Sequence, residues 1–149
     1  MDAAPRTFAE LPIDSERAVP VPFACGTDTG CGDPRVAPSA RHLDQRRVIQ
    51  CALSRICGVC GFGLGRPIAF IGSEHELGRN AFHFPPCHLE CAEALRAAYA
   101  SVDQPLLGQD QVAPWVLVTT ASFEFVRANR QDEDRRPTFQ TNTILSQAG

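Results

Sequence analysis

Two stretches of the 149-residue chain carry most of its structural information, CGVCGFGLG at residues 57–65 and FPPCHLECAEALRAAY at residues 84–99. The first holds Cys57 and Cys60 in a C-x-x-C pattern that a glycine follows at once. The second holds Cys91 shortly after a Cys-His pair. Two Cys/His pairs separated by about 27 residues are typical of a tetrahedral zinc site. The sequence therefore predicts one bound zinc ion.

The second ligand pair is either His88 with Cys91 or Cys87 with Cys91. His88 and Cys91 are three residues apart, so they share one face at the start of a helix, where the helix dipole favours a thiolate. We therefore predict that zinc binds Cys57, Cys60, His88 and Cys91, with Cys87 as the alternative ligand. Four protein ligands leave no coordination position for water, so the ion would stabilise the fold and would not catalyse.

The elements around these ligands follow a recognisable order. The periodicity predicts a knuckle at 57–64, a strand at 66–72, a loop at 73–80, a return strand at 81–84 and a helix from about 88 to 102. Knuckle, β-hairpin and helix in this order are typical of a treble-clef zinc-binding domain. The predicted fold class is accordingly a small α+β domain.

The flanking segments add further elements. A helix is predicted over residues 41–56, with Ser39 or Asp44 as its N-cap. Residues 114–126, PWVLVTTASFEFV, form the most strand-like stretch of the chain, and TFQTNTIL at 138–145 predicts one last short strand. Trp115, Phe123 and Phe125 are expected in the core of this additional β region rather than on a base-stacking surface.

Composition divides the chain into three parts. We predict an irregular arm and loop rich in proline and glycine at residues 1–40 and the zinc-binding domain at residues 41–126. A charged loop followed by a short strand and tail is predicted at residues 127–149.

Composition and charge exclude several classes of protein. No run of 18 apolar residues occurs, so no membrane span is predicted, and the first 25 residues show no apolar core of a signal peptide. All 14 basic residues are arginines, which excludes mechanisms that depend on a lysine. The seven cysteines are an odd number, which favours metal binding in a reducing cytoplasm over a disulfide framework.

Three further cysteines have two interpretations. Together with His42 they would form a second metal site, or they are ordinary core and loop residues, which their spacing favours. These cysteines are Cys25, Cys31 and Cys51.

A local excess of arginine raises a nucleic-acid hypothesis. Five arginines between positions 41 and 66 face a single acidic residue, Asp44, and predict either a small anion-binding patch or the solvated side of a helix. These residues are Arg41, Arg46, Arg47, Arg55 and Arg66. The overall net charge of -3 argues against a surface that follows a phosphate backbone throughout.

Another candidate set lies between the two ligand pairs. His75, Asn80 and His83 raise the question of a His-Asn-His nuclease, which also uses a zinc-finger-like scaffold. Asn80 follows His75 too closely for that family, so this hypothesis ranks last, and we predict no catalytic residue.

The stretches that hold the two ligand pairs resemble those of a group of uncharacterised small proteins from actinobacteria and their phages. The resemblance covers about residues 48–120, and it implies that His88 rather than Cys87 is the ligand, without implying a known activity. Its motif positions are Cys57, Cys60, Gly61, Leu64, Gly65, Arg66, Ala69, Phe70, Pro85, Pro86, His88, Cys91, Ala92 and Glu93.

The preferred function is a zinc-stabilised interaction module that binds a protein partner through the strand at 114–126 or the arm at 1–24. The alternative is a nucleic-acid-binding zinc finger that uses the arginine patch. A metal-dependent nuclease is the third and least favoured hypothesis.

Overall fold

The computed structural model describes residues 7–25, 39–129, 131 and 136–148, and within these ranges the chain has a mixed α+β fold. The helices are α1 (Gln45–Ser54), α2 (Glu74–Arg79) and α3 (Leu89–Tyr99). The strands are β1 (Ile13–Asp14), β2 (Val19–Pro20), β3 (Ile68–Gly72), β4 (Cys87–His88), β5 (Val116–Thr120), β6 (Phe123–Val126), β7 (Thr138–Thr141) and β8 (Ile144–Ala148). The predicted α+β class is therefore confirmed.

An antiparallel sheet with the strand order β4-β3-β5-β8 forms the centre of the fold. Strands β3 and β5 pair along their whole length, from Ile68 opposite Thr120 to Gly72 opposite Val116. Every residue of β3 and β5 is buried, because α3 packs against both strands and the separate β6-β7 ribbon supplies aromatic side chains to β3. Such strands read as continuous apolar runs rather than as alternating patterns.

The aromatic side chains pack together between the sheet and the ribbon. The ring of Phe70 stacks on Phe82 at 5.3 Å between centroids and contacts Phe123 and Phe139 at 6.1 and 6.0 Å. The predicted core residues Trp115, Phe123 and Phe125 all pack against the main cluster of buried side chains.

The arm that was predicted to be irregular contains short elements and joins the knuckle. The amide of Phe23 donates to the carbonyl of Val59 and that of Ala24 to the carbonyl of Gly58, both at 2.9 Å. Residues 1–6 and 26–38 of this predicted segment lie outside the described residues. The described part of the arm is therefore an integral side of the core.

Two predictions between β3 and α3 are wrong. Residues predicted as a loop form α2, because Ser73 and Glu76 make a capping box in which each side chain accepts a hydrogen bond from the other residue's amide. Residues 81–84 are not the return strand, since Phe82 exchanges both backbone hydrogen bonds with Phe139 on β7. The return strand is β4, two residues long, which pairs with Ile68 and Ala69.

The C-terminal third also differs from the prediction. The strand predicted at 114–126 is interrupted after Thr120, whose hydroxyl donates to the carbonyl of Ser122 at 2.8 Å, and so it becomes β5 and β6. The one short strand predicted after residue 137 is two strands, β7 and β8. Because β8 pairs with β5, the boundary predicted at residue 126 separates two strands of one sheet.

None of the helices in the described ranges is long and apolar enough to cross a membrane.

Candidate metal centre

The knuckle and the start of α3 bring four ligand-type side chains together. Their ligand atoms all lie within 4.8 Å of one another, and the residues are Cys57, Cys60, His88 and Cys91. These are the four residues that the sequence predicts as ligands. Cys57 and Cys60 are buried, and His88 and Cys91 are partly exposed.

The sulfur-to-nitrogen distances match those that a tetrahedral ion imposes. His88 Nδ1 lies 3.4 Å from Cys60 Sγ and 3.7 Å from Cys91 Sγ. With a Zn–S distance of about 2.3 Å and a Zn–N distance of about 2.1 Å, tetrahedral geometry places sulfur and nitrogen about 3.6 Å apart. The four side chains could therefore hold one metal ion.

Hydrogen bonds outside the four ligand atoms orient the ligands. The amides of Val59 and His88 donate to Cys57 Sγ at 3.3 and 3.4 Å, which supports a thiolate. His88 Nε2 lies 2.8 Å from the carbonyl oxygen of Gly63. If Nδ1 binds the ion, Nε2 carries the proton and donates it to that carbonyl, which fixes the tautomer and the ring orientation.

The backbone of the knuckle holds its own shape. Gly61 has a φ of +80°, which favours glycine, and its amide donates to the carbonyl of Cys57 at 2.8 Å. Gly58 packs so closely that an added Cβ would lie 3.0 Å from atoms of both Phe84 and Pro85. The amide of Gly58 donates to the carbonyl of Pro86 at 2.9 Å, so the knuckle is joined to the segment that leads into α3.

Hydrogen bonds between the thiols of the cluster shift the pKa values of Cys57 and Cys91 in opposite directions. Burial raises the pKa of Cys57, but hydrogen bonds from the thiols of Cys60 and Cys91 and from backbone amides outweigh this and hold it well below its ordinary value. The pKa of Cys91 is raised, mainly because its thiol donates to the Cys57 and Cys60 sulfurs and because burial disfavours a second thiolate. A divalent cation would replace these protons, so binding would release them.

Cys87, the alternative ligand, has different surroundings. Its thiol is fully buried and donates to the carbonyl oxygen of Ala69 on β3 at 3.3 Å. Burial raises its pKa well above the ordinary value, and the neighbouring Cys57 and Cys60 sulfurs add to this effect. Cys87 therefore behaves as a small apolar residue of the β3-β4 pair.

The candidate second metal site is not assembled in the described ranges, where the cluster above is the one group of three or more ligand-type side chains close enough to share an ion. Cys51 is buried on α1, and burial raises its pKa to about 12. Cys25 is partly buried with a pKa raised by burial, and His42 is exposed. Cys31 lies outside the described residues.

The residues of the nuclease hypothesis have separate surroundings. The Asn80 side chain makes two hydrogen bonds to the backbone of Thr141. It accepts from the amide at 2.9 Å and donates to the carbonyl at 3.0 Å. His83 Nδ1 lies 2.8 Å from Glu76 Oε2, and His75 is exposed on α2. The Asn80 side chain thus joins the C-terminal end of α2 to β7.

The five arginines of the predicted patch differ in burial and in their partners. Arg47 is buried, donates to the carbonyl of Phe23 at 3.0 Å and lies over the Phe23 ring. Arg41 is half-buried and donates to the carbonyl of Gln109 at 3.0 Å. The remaining arginines are exposed and comprise Arg46, Arg55 and Arg66.

A buried polar network on α2 was not predicted. The Glu76 carboxylate is 4 % exposed and accepts from the amide of Ser73 at 3.0 Å, the amide of His83 at 2.8 Å and the side chain of Gln109 at 2.7 Å. Burial raises the pKa of Glu76, but the hydrogen bonds from His83 lower it below its ordinary value. The Ser-x-x-Glu spacing could have indicated the first contact, whereas nothing local indicates Gln109.

Comparison with known proteins adds no relative from which a role could be transferred. Comparisons of the chain with protein-family models, with curated proteins and with solved structures found no match.

Proposed function

We propose that this chain is a zinc-stabilised domain of the treble-clef type, in which one Zn²⁺ has a structural role. The observation that supports this most directly is the Cys3His cluster, whose ligand atoms lie within 4.8 Å of one another. Thiolate and imidazole ligands favour zinc over hard cations such as Mg²⁺, which prefer oxygen. The order of the knuckle, the short β3-β4 pair and α3 along the chain supports the treble-clef type.

The proposed ion has a structural rather than a catalytic role because four protein ligands close a tetrahedral shell. It links the knuckle to the first turn of α3, two segments that are distant in sequence. The Gly58–Pro86 hydrogen bond already joins the knuckle to the segment that leads into α3, so the ion reinforces an existing contact between these two parts of the chain. A thiol-rich site of this kind suits a reducing compartment, and we propose the cytoplasm.

We further propose that the domain binds a protein partner, and the edge strand β8 is the surface that best suits this role. Within the stretch 114–126 that was first expected to bind, β5 lies between β3 and β8 and has no free edge. On β8, Ile144 and Leu145 are 45 % and 58 % exposed. Edge strands present unpaired amides and carbonyls that can pair with an extended segment of another chain.

The metal is tested by elemental analysis of the purified full chain. We expect one zinc per chain, loss of the metal with EDTA, and a lower melting temperature that added Zn²⁺ restores. The absence of transition metal from freshly purified protein, or a melting temperature that EDTA does not change, would contradict the zinc proposal.

Partner binding is tested separately by affinity capture from cells that express the chain. Leu145→Asp should lose a protein that the unchanged chain captures, whereas Leu53→Asp, at a position 68 % exposed on α1, is the matched control and should retain it. Capture that survives Leu145→Asp would place the partner elsewhere. Salt-sensitive binding of DNA or RNA with no captured protein would favour the nucleic-acid alternative.

We also propose that the chain belongs with the actinobacterial and actinophage proteins that its motifs resemble. The support for this is the sequence pattern around the two ligand pairs.

A further inference from the structure

An open groove of about 450 Å³ lies between the C-terminal end of α3 and the segment 112–115. None of its lining residues is a ligand of the candidate metal centre. This volume falls within the range of small-molecule sites, about 300 to 1,000 Å³. The lining residues that matter here are Arg96, Tyr99, Val102, Val112, Pro114 and Trp115.

The apolar wall of the groove rests on a fixed support. The rings of Trp115 and Tyr99 are 5.8 Å apart between centroids. Tyr99 is buried, and its hydroxyl donates to the carbonyl of Pro20 at 2.9 Å. Trp115 therefore lies against a side chain that cannot easily move, while Val112 at the rim is 50 % exposed. Such a surface suits the apolar part of a ligand.

Arg96 is the one charged residue among the described residues that line the groove, and its charge is positive. Arg96 lies in the last turn of α3 and is half-buried. In the part of the chain that the structure describes, the Arg96 side chain makes no hydrogen bond or ion pair, and no carboxylate lines the groove. A guanidinium without a carboxylate partner is complementary to an anion with two oxygen atoms, because it can donate two parallel hydrogen bonds.

We propose that this groove binds a free monocarboxylate with an unbranched apolar chain. The chain would pack on Trp115 and Val112, and the carboxylate would accept hydrogen bonds from Arg96. The proposal goes beyond the zinc-dependent interaction function and does not depend on it, since the groove and the metal centre share no residue.

The test uses octanoate as the probe and the purified full chain. Trp115 is the only tryptophan in the sequence, so its fluorescence reports on the groove directly. We expect a saturable change with octanoate and no saturable change with octylammonium, which has the same chain and the opposite charge. Equal saturation with both probes, or no saturation with octanoate below its micellar concentration, would overturn the proposal.

Variants locate the site. Arg96→Gln should weaken octanoate binding about tenfold or more, because it removes a charge-assisted hydrogen bond. Arg46→Gln removes the same charge from an exposed position on α1 and should bind as the unchanged chain does. Val112→Asp places a negative charge at the exposed rim and should abolish binding without loss of the fold. Unchanged affinity in both Arg96→Gln and Val112→Asp would show that octanoate binds elsewhere.

Discussion

Replacing Cys91 and Cys87 by alanine, one at a time, separates the effect of the metal from the effect of burial. Cys87 is fully buried, whereas Cys91 is only partly buried but belongs to the four-residue cluster. If burial alone decided the cost, Cys87→Ala would be the more destabilising substitution. If an ion joins the cluster, the order is reversed.

The expected losses in unfolding free energy follow from the contacts that each substitution removes. Cys87→Ala removes one buried sulfur and its 3.3 Å hydrogen bond to the carbonyl of Ala69, which together stabilise by about 1 to 2 kcal/mol. Structural zinc contributes about 10 to 16 kcal/mol in small domains, so loss of one of four ligands costs about 3 kcal/mol or more. Small domains have a total stability of about 5 to 15 kcal/mol, so Cys91→Ala should leave the chain marginally folded.

The assay is urea unfolding at pH 7, combined with zinc analysis after dialysis against a weak chelator. Cys91→Ala should lose metal and unfold at a much lower urea concentration. Cys87→Ala should keep one zinc per chain and show a modest shift. A Cys87→Ala protein that loses its zinc, or a Cys91→Ala protein with full zinc content and unchanged stability, would refute the assignment of the ligands.

Three further outcomes follow from the described contacts. Gly72→Ala should destabilise by about 1 to 3 kcal/mol in urea unfolding, because the added Cβ would lie 2.6 Å from Glu76 Oε1 and 2.8 Å from Phe82 Cδ1. Gly78→Ala, which meets no atom within 4 Å on α2, should instead be neutral or stabilise by about 0.5 to 1 kcal/mol. Glu76→Gln should lose about 2 to 4 kcal/mol at pH 7, since an amide group cannot accept all the hydrogen bonds of the buried carboxylate. The pKa of Glu76 in the folded chain is lowered from 4.5, so the carboxylate contributes fully to the stability above pH 4.5, and this contribution is lost as the pH falls through the folded-state pKa. The difference in unfolding free energy between the unchanged chain and Glu76→Gln should therefore become smaller in acid. A difference that stays constant with pH would contradict this.

The helices were predictable to different degrees. Helix α1 begins after Asp44, whose side chain accepts from the amide of Arg46 at 2.9 Å, and Asp44 was one of the two predicted N-caps. Helix α3 lies within the predicted range. Helix α2 was missed although its Ser-x-x-Glu capping box is a local signal, because Gly78 and the short length made the segment look like a loop.

The strands were harder to predict because their partners are distant in sequence. Residues 81–84 and residues 87–88 both lie between β3 and α3. The return strand was predicted at residues 81–84. Phe82 instead pairs with Phe139, more than fifty residues further on, and Cys87 with Ala69. Register and pairing depend on which strand offers a free edge, which no short window of sequence contains.

The sequence alone determined which side chains can act as ligands and how each pair is arranged. The spacing of Cys57 and Cys60 in a glycine turn, and of His88 and Cys91 in one helical turn, depends on local backbone geometry. Only the tertiary structure decided that the two pairs meet, that Cys87 turns toward Ala69, and that β5 lies inside the sheet. Those outcomes depend on contacts between remote segments, whose free energies are set by the burial and pairing of the whole chain rather than by any one stretch of it.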